Sequence, residues 1–113
     1  MKKYVFALLL LLLPAAAYAG YVADQVPNLI YGSTTIKFGV DNQPSDTCAH
    51  FLRQFYFDAT TESGKNMLSI MLAAKMANKK IDIWYTPSTT PGTNETNGCT
   101  PNTLAVVLQI GIK

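Results

Sequence analysis

The first nineteen residues set the strongest limit on what this chain can fold into, because they have the composition of an export signal and not of a domain. Two lysines precede an unbroken apolar run of about nine residues, Val5 to Leu13, and Ala17-Tyr18-Ala19 forms a small-x-small cleavage site. A helix needs roughly 20 residues to cross a bilayer, so we expect the run to be cleaved and not to span a membrane. We therefore predict a secreted or periplasmic mature chain that begins at Gly20 and folds as one domain over residues 20–113.

The net charge of the predicted mature chain argues against a nucleic-acid ligand. Loss of the two N-terminal lysines leaves seven basic and seven acidic side chains, so the formal charge falls from +2 to zero. These charges are scattered along the chain, whereas proteins that bind nucleic acids normally carry a basic patch. We therefore expect no nucleic-acid partner.

Cys48 and Cys99 are an even pair in a chain predicted to be exported, which favours a disulfide. The bridge would close a loop of about 50 residues and contribute about 3–4 kcal/mol on the chain-entropy model. The alternative is two unrelated free thiols. Two cysteines and a single histidine, His50, do not make a metal site, so we expect no metal and no other cofactor.

Hydrophobic periodicity predicts a mainly β domain with one helix. Four segments have strand character, and strong helix formers follow an N-cap at Thr61 or Ser63. A long first strand bent near Gly32, with a single helix before the last two strands, is typical of an OB-fold-like five-stranded barrel. A plain α+β sheet with one packed helix would give much the same pattern. The predicted order is strand 29–40, strand region 48–58 (one strand or two), helix 65–78, strand 81–86, loop 87–102 and strand 104–112.

Alternation along the predicted strands indicates which side chains share a face. The segment before Leu29 is polar and holds Pro27, so we expect only an extended lead-in there. The predicted faces are Thr34, Ile36, Phe38 and Val40 in the first strand, and Leu104, Val106, Leu108, Ile110 and Ile112 in the last.

The predicted helix has two apolar sides, which is unusual for a helix on a small monomer. One stripe, suited to covering the sheet, consists of Met67, Ile70, Met71, Ala74 and Ala77. A second stripe on another side consists of Leu68, Leu72 and Met76, and Lys75 is one of the few polar residues near it. Self-association would bury this second stripe. The alternative is that loop 87–102 folds over it.

The sequence offers little for catalysis. His50 lies two residues from Cys48, which cannot act as a nucleophile if it is disulfide-bonded. Asp58 and Glu62 could approach one another across a turn, which would be weak support for glycoside hydrolysis. The chain contains no phosphate loop, zinc signature or G-x-S-x-G motif. We therefore expect a protein that is not an enzyme and that works by binding.

The segment GKNMLSIMLAAKMANKKIDIWYTP, residues 64–87, resembles the helix and following strand of the B subunits of pertussis-like toxins. The shared pattern is a helix of the type ML-S-x-x-L-x-A, a short turn bearing Gly or Asn, and a strand ending in Tyr. The export signal and the apolar C-terminal strand fit the same family. The specific part of the resemblance is confined to this segment.

The resemblance implies an OB barrel whose copies form a homopentameric ring. In the family the helices line the central pore, where the tail of a catalytic toxin subunit docks, and here the pore residues would be Leu68, Leu72, Lys75 and Met76. The family binds sialylated host cell-surface glycans. Tyr31 and Ser33 match its aromatic-x-Ser arrangement, and Thr61 and Ser63 would lie at the rim before the helix.

Two functions therefore follow as hypotheses. The first is a glycan-binding B subunit of a secreted bacterial AB toxin, with a host glycan, a catalytic subunit and its own copies as partners. The second is a monomeric periplasmic or secreted inhibitor or binding module that acts through loop 87–102. The first predicts an oligomer and the second a monomer.

Overall fold

The computed structural model describes residues 20–113, which form one six-stranded sheet with a single helix. The signal-peptide prediction concerns residues 1–19 and lies outside the described residues. No helix within residues 20–113 is long and apolar enough to cross a membrane. The elements are β1 (Gly20–Gln25), β2 (Pro27–Gly32), β3 (Thr35–Val40), β4 (Phe55–Asp58), α1 (Glu62–Met76), β5 (Ile81–Thr86) and β6 (Ala105–Ile112).

The strand order is β1-β5-β6-β4-β3-β2, and all neighbours are antiparallel except β4 and β6. The mainly β class with one helix is confirmed. The expected closure into a five-stranded barrel is not observed, because β1 and β2 lie at the two edges and no pairing joins them within the described sheet. These edge strands are nevertheless consecutive, with Val26 alone between them, so one continuous segment borders both edges.

Helix α1 covers one face of the sheet and completes the core. Met67, Met71 and Ala74 are buried there, as the first apolar stripe predicts. Ala77 is exposed because the helix ends at Met76, and Ala77 caps it. The sheet contributes mainly aromatic and branched side chains to this core: Ile36, Phe38, Phe55, Phe57, Ile81, Ile83, Tyr85, Ala105, Val107 and Ile110.

Local contacts explain why the helix begins where it does. The Thr61 hydroxyl accepts a hydrogen bond of 2.9 Å from the Gly64 N–H, which satisfies one of the unpaired donors of the first turn. Gly64 is required because a Cβ there would overlap the carbonyl oxygen of Asp58. The absence of a side chain lets the first helical turn pack directly on the end of β4.

The predicted first strand, residues 29–40, is a hairpin of β2 and β3 that bends at Ser33 and Thr34. The prediction of one strand was wrong because threonine favours strands and hid the bend. Gly32 ends β2, and the bulge lies between Asn28 and Tyr31, earlier than expected. Ile36, Phe38 and Val40 of the predicted core face are buried, whereas Thr34, also predicted there, lies in the bend and is exposed.

Two further strand predictions need correction. The expected lead-in before residue 29 includes the edge strand β1, which pairs with β5. In the predicted strand region 48–58 only Phe55–Asp58 is a strand, and residues 48–53 form turns and isolated bridges.

The face predicted for the last strand is right only in part: Leu104 and Ile110 are buried, Val106 is half-buried, and Leu108 and Ile112 are exposed. Val107 pairs with Tyr85 and Gln109 with Trp84, so Leu108 is an extra residue in a β-bulge. The bulge shifts the alternation by one position. Ala105 and Val107 therefore face the core, whereas Leu108 is exposed.

The Cys48–Cys99 disulfide is confirmed, and its sulfur atoms pack with Leu104 and part of Tyr56 in a small second core. Loop 87–102 lies against residues 46–49, with backbone hydrogen bonds such as Ala49 N–H to Thr93 O at 3.0 Å. The loop does not cover the second apolar stripe of the helix, because Leu72 and Met76 remain exposed.

Candidate functional site

Tyr31, on the edge strand β2, and the partly exposed Arg53, in the turn before β4, form an aromatic–cation pair. Tyr31 is 56% exposed, and the guanidinium carbon of Arg53 lies 3.6 Å from its ring centroid. The Arg53 Nε donates a hydrogen bond of 3.3 Å to the Leu29 carbonyl oxygen, which fixes the side chain. Its terminal nitrogens make no hydrogen bond or ion pair to residues 20–113. The pair therefore presents a planar cation, suited to a carboxylate, beside an aromatic ring.

Ser33 lies in the bend between β2 and β3, and its exposed hydroxyl makes no hydrogen bond to any described residue. The carbonyl oxygen of the adjacent Thr34 accepts a bond of 2.8 Å from the Ala59 N–H. This bond joins the bend to the turn before α1. The structure therefore brings Ser33 to the same end of the sheet as Thr61 and Ser63.

Thr61 and Ser63 differ in what they can offer a ligand. The Thr61 hydroxyl accepts from the Gly64 N–H and donates to the Asp58 carbonyl oxygen, at 2.9 and 3.1 Å. It is therefore occupied by the helix cap. Ser63 is exposed in the first turn, and its hydroxyl makes no hydrogen bond within the described chain. Of the four predicted glycan contacts, Tyr31, Ser33 and Ser63 have polar groups available.

Asp58 has the wrong protonation behaviour for a general acid. The Thr60 hydroxyl and then the Thr60 N–H donate to its carboxylate, at 2.6 and 2.8 Å. These bonds hold the pKa of Asp58 below its usual range. A glycosidase acid needs a raised pKa instead. The geometry therefore favours a role in the turn before α1 for Asp58, rather than a catalytic pair with Glu62.

A pocket of about 360 Å³ lies beside the Tyr31–Arg53 pair, and sequence analysis missed it. Asn28 and Asp41 form its polar wall, joined by a bond of 2.6 Å from the Asn28 amide to the Asp41 carboxylate. Leu29 and Leu52 form its apolar wall. The buried Gln54 supports it, because its amide bonds both Val40 N–H and the Leu52 carbonyl oxygen.

Three bulky residues in and beside this pocket have a left-handed backbone conformation. The φ angles are 48° at Leu29, 50° at Phe51 and 67° at Leu52. Each such residue costs about 1–3 kcal/mol, and residues of this kind cluster at ligand sites. Leu29 lies in the β2 bulge, and hydrogen bonds between His50 and Arg53, at 2.9 and 3.2 Å, close the turn that holds the other two.

Gly39 is the one sequence signal that could have indicated this pocket. A Cβ at Gly39 would overlap the carbonyl oxygen of Leu52 and come within 2.9 Å of the Asn28 amide oxygen. Glycine inside a strand often marks such a close approach of another segment. The sequence could not identify the approaching segment, because the 50–53 turn was predicted to be strand.

The second apolar stripe of α1 is an exposed surface on the folded protomer. Met76 is 89% exposed and Leu72 is 44% exposed, whereas Leu68 is partly buried. Lys75, predicted with them, donates a bond of 2.8 Å from its ammonium to the Pro27 carbonyl oxygen. Lys75 thus ties the helix to the start of β2, and Leu72 and Met76 are the members of this group that are free to contact another chain.

No protein-family model, no curated protein and no solved structure matches this chain. The resemblance to pertussis-like toxin B subunits over residues 64–87 therefore stays a prediction. Among residues 20–113, no three His, Cys, Asp or Glu side chains gather as a metal site would require.

Proposed function

We propose that this protein is a non-enzymatic, secreted subunit that binds an acidic glycan and assembles into a ring. The observation that carries the proposal is the exposed Tyr31 ring beside the unpaired terminal nitrogens of Arg53. A planar guanidinium can bind a carboxylate through two parallel hydrogen bonds. An aromatic ring next to it can pack on the apolar face of a sugar, and the Ser33 hydroxyl at the same sheet end can donate to the ligand. A sialic acid combines these features in one residue.

The proposed assembly is a homopentamer in which Leu72 and Met76 contact other copies or line a pore. An apolar helix surface left open on a domain of this size favours self-association. In the toxin family that residues 64–87 resemble, such a ring delivers a catalytic subunit to cells that display the glycan. The proposed partners are therefore a host cell-surface sialoglycan, a catalytic subunit and further copies of this chain.

Calorimetric titration of the mature protein with methyl sialoside and with neutral methyl galactoside tests the glycan proposal. We expect binding of the sialoside only. Tyr31→Ala and Arg53→Ala should each weaken it at least tenfold. Tyr31→Phe should retain most of the affinity, because it keeps the ring and the stacked cation.

Lys79→Ala is the matched control for Arg53→Ala, because it removes one exposed positive charge in the segment that follows α1. It should leave the affinity within twofold of wild type. Equal binding of the two sugars, or an Arg53→Ala variant that binds like wild type, would contradict the proposal. If shortening loop 87–102 abolished binding, whereas substitution of Tyr31 or Ser33 had no effect on it, the monomeric binding module would be supported instead.

A further inference from the structure

We propose that the pocket between β2 and the 50–53 turn is a second sugar subsite, which holds the neutral sugar next to the terminal acidic one. This inference rests on the proposed function, because it extends a glycan that is held at Tyr31 and Arg53. The pocket is lined by Asn28, Leu29, Asp41 and Leu52, among others, and has a volume of about 360 Å³.

The pocket and the Tyr31–Arg53 pair lie on the same face of the sheet. Asn28 pairs with Gly39, and Tyr31 pairs with Lys37. Lys37 and Gly39 are two positions apart on β3 and so lie on the same face of the sheet, and their partners Asn28 and Tyr31 share that face. Two positions along a strand correspond to about 7 Å. Arg53 also donates to the Leu29 carbonyl oxygen, and Leu29 lines the pocket. The two sites are therefore contiguous, at a spacing suited to linked sugars.

The polar groups of the pocket suit a ligand rich in hydroxyls. One Asp41 carboxylate oxygen accepts from Asn28, and the second makes no hydrogen bond within residues 20–113. The Asn28 amide oxygen is likewise without a donor among the described residues. Acceptors of this kind can pair with sugar hydroxyls, and the apolar wall of Leu29 and Leu52 matches the C–H face of a pyranose.

The charge of the pocket decides against a second acidic sugar. Asp41 is the charged residue that lines it, whereas the cation Arg53 lies outside the lining, beside Tyr31. A carboxylate in the pocket would be repelled by Asp41, and a neutral hexose would not. Leu29 and Leu52, which form the apolar wall, both have the left-handed conformation, as expected of a preorganised site.

The test compares methyl sialoside, which occupies only the proposed acidic-sugar site at Tyr31 and Arg53, with sialyllactose, which adds neutral sugars. The wild-type protein should bind sialyllactose at least fivefold more tightly. Asp41→Asn should abolish that difference and leave the affinity for methyl sialoside within twofold. Simple charge effects predict the opposite sign, because removal of a negative charge should strengthen binding of both acidic ligands. Asn28→Ala should behave like Asp41→Asn.

Asp24→Asn is the matched control, since it makes the same chemical change at an exposed carboxylate on β1 and should alter neither affinity. Unfolding midpoints of all variants show whether each is folded. If wild type binds the two ligands equally, or if Asp41→Asn weakens both alike, the second subsite is wrong and the acidic-glycan proposal stands. If wild type binds neither ligand, both proposals fail.

Discussion

Tyr85 links the sheet core to the turn after β3 through one partly buried hydrogen bond. Its hydroxyl donates to the Asp46 carboxylate at 2.6 Å, and the Asp46 carbonyl oxygen accepts from the Ser88 N–H at 3.0 Å. Burial of the ring raises the pKa of Tyr85 well above its usual value, and the bond to Asp46 raises the pKa further. A single side chain thus joins the core, the turn and the start of the disulfide-linked loop.

Tyr85→Phe should lower the free energy of unfolding by about 1 kcal/mol at neutral pH, because it removes one partly buried hydrogen bond. The pH dependence should also change. A raised pKa means that the folded state holds the phenol proton more tightly, so this stability is present below about pH 10 and is lost as the pH rises above it. Phenylalanine does not titrate, so the variant should lose less stability than wild type between about pH 9 and about pH 11.

Urea unfolding at about pH 9 and at about pH 11 measures this difference. Tyr31→Phe is the control, because it makes the same change at an exposed tyrosine. The control should follow the wild-type pH dependence. Parallel loss of stability in wild type and Tyr85→Phe would show that the Tyr85 proton does not contribute.

Thr61 and Ser63, at the start of α1, differ in role, because Thr61 caps the helix and Ser63 does not. Thr61→Ala should destabilise the protein by about 1 kcal/mol, because the Gly64 N–H loses its partner. Ser63→Ala, at an exposed neighbouring position without a side-chain hydrogen bond in the described chain, should change stability by only a few tenths of a kcal/mol. Thr61→Ser keeps the hydroxyl and should restore most of the stability.

Thermal and urea unfolding of the three variants measure the cap, and sialoside titration measures binding. Our interpretation requires that Thr61→Ala changes stability and leaves the affinity within twofold. A Thr61→Ala variant that keeps its stability but loses affinity would assign Thr61 to the proposed glycan site, as the resemblance implies, and not to the cap.

The elements that could be predicted from sequence are those whose period is uninterrupted. Strand 81–86 agrees with β5 residue for residue, and the cap at Thr61 was one of two predicted choices. The face predicted for the last strand is wrong at Leu108, because a bulge there shifts the alternation and no residue in the sequence marks it. The pocket was missed for a related reason. Its walls depend on left-handed leucines at 29 and 52, which no propensity predicts.

The disulfide holds loop 87–102 on its own protomer, whereas the exposed face of α1 remains open to another chain. Cys48–Cys99 and backbone hydrogen bonds hold loop 87–102 against residues 46–49. The loop is therefore committed to its own protomer and leaves Leu72 and Met76 uncovered. In the monomeric alternative, this long loop would fold over Leu72 and Met76 and bury them. Its placement elsewhere favours a second copy of the chain as the cover.

The native mass of the oxidised protein over residues 20–113, measured by light scattering over a range of concentrations, tests whether a second copy covers the helix. We expect a mass near five times that of the protomer. Met76→Glu places a charge on the exposed stripe and should shift the mass towards the monomer, because burying that charge costs several kcal/mol per ion. Asn66→Glu adds the same charge on a different side of α1 and should leave the mass unchanged. A wild-type protein that is monomeric at every concentration would rule out the ring, and the monomeric binding module acting through loop 87–102 would then be the better account.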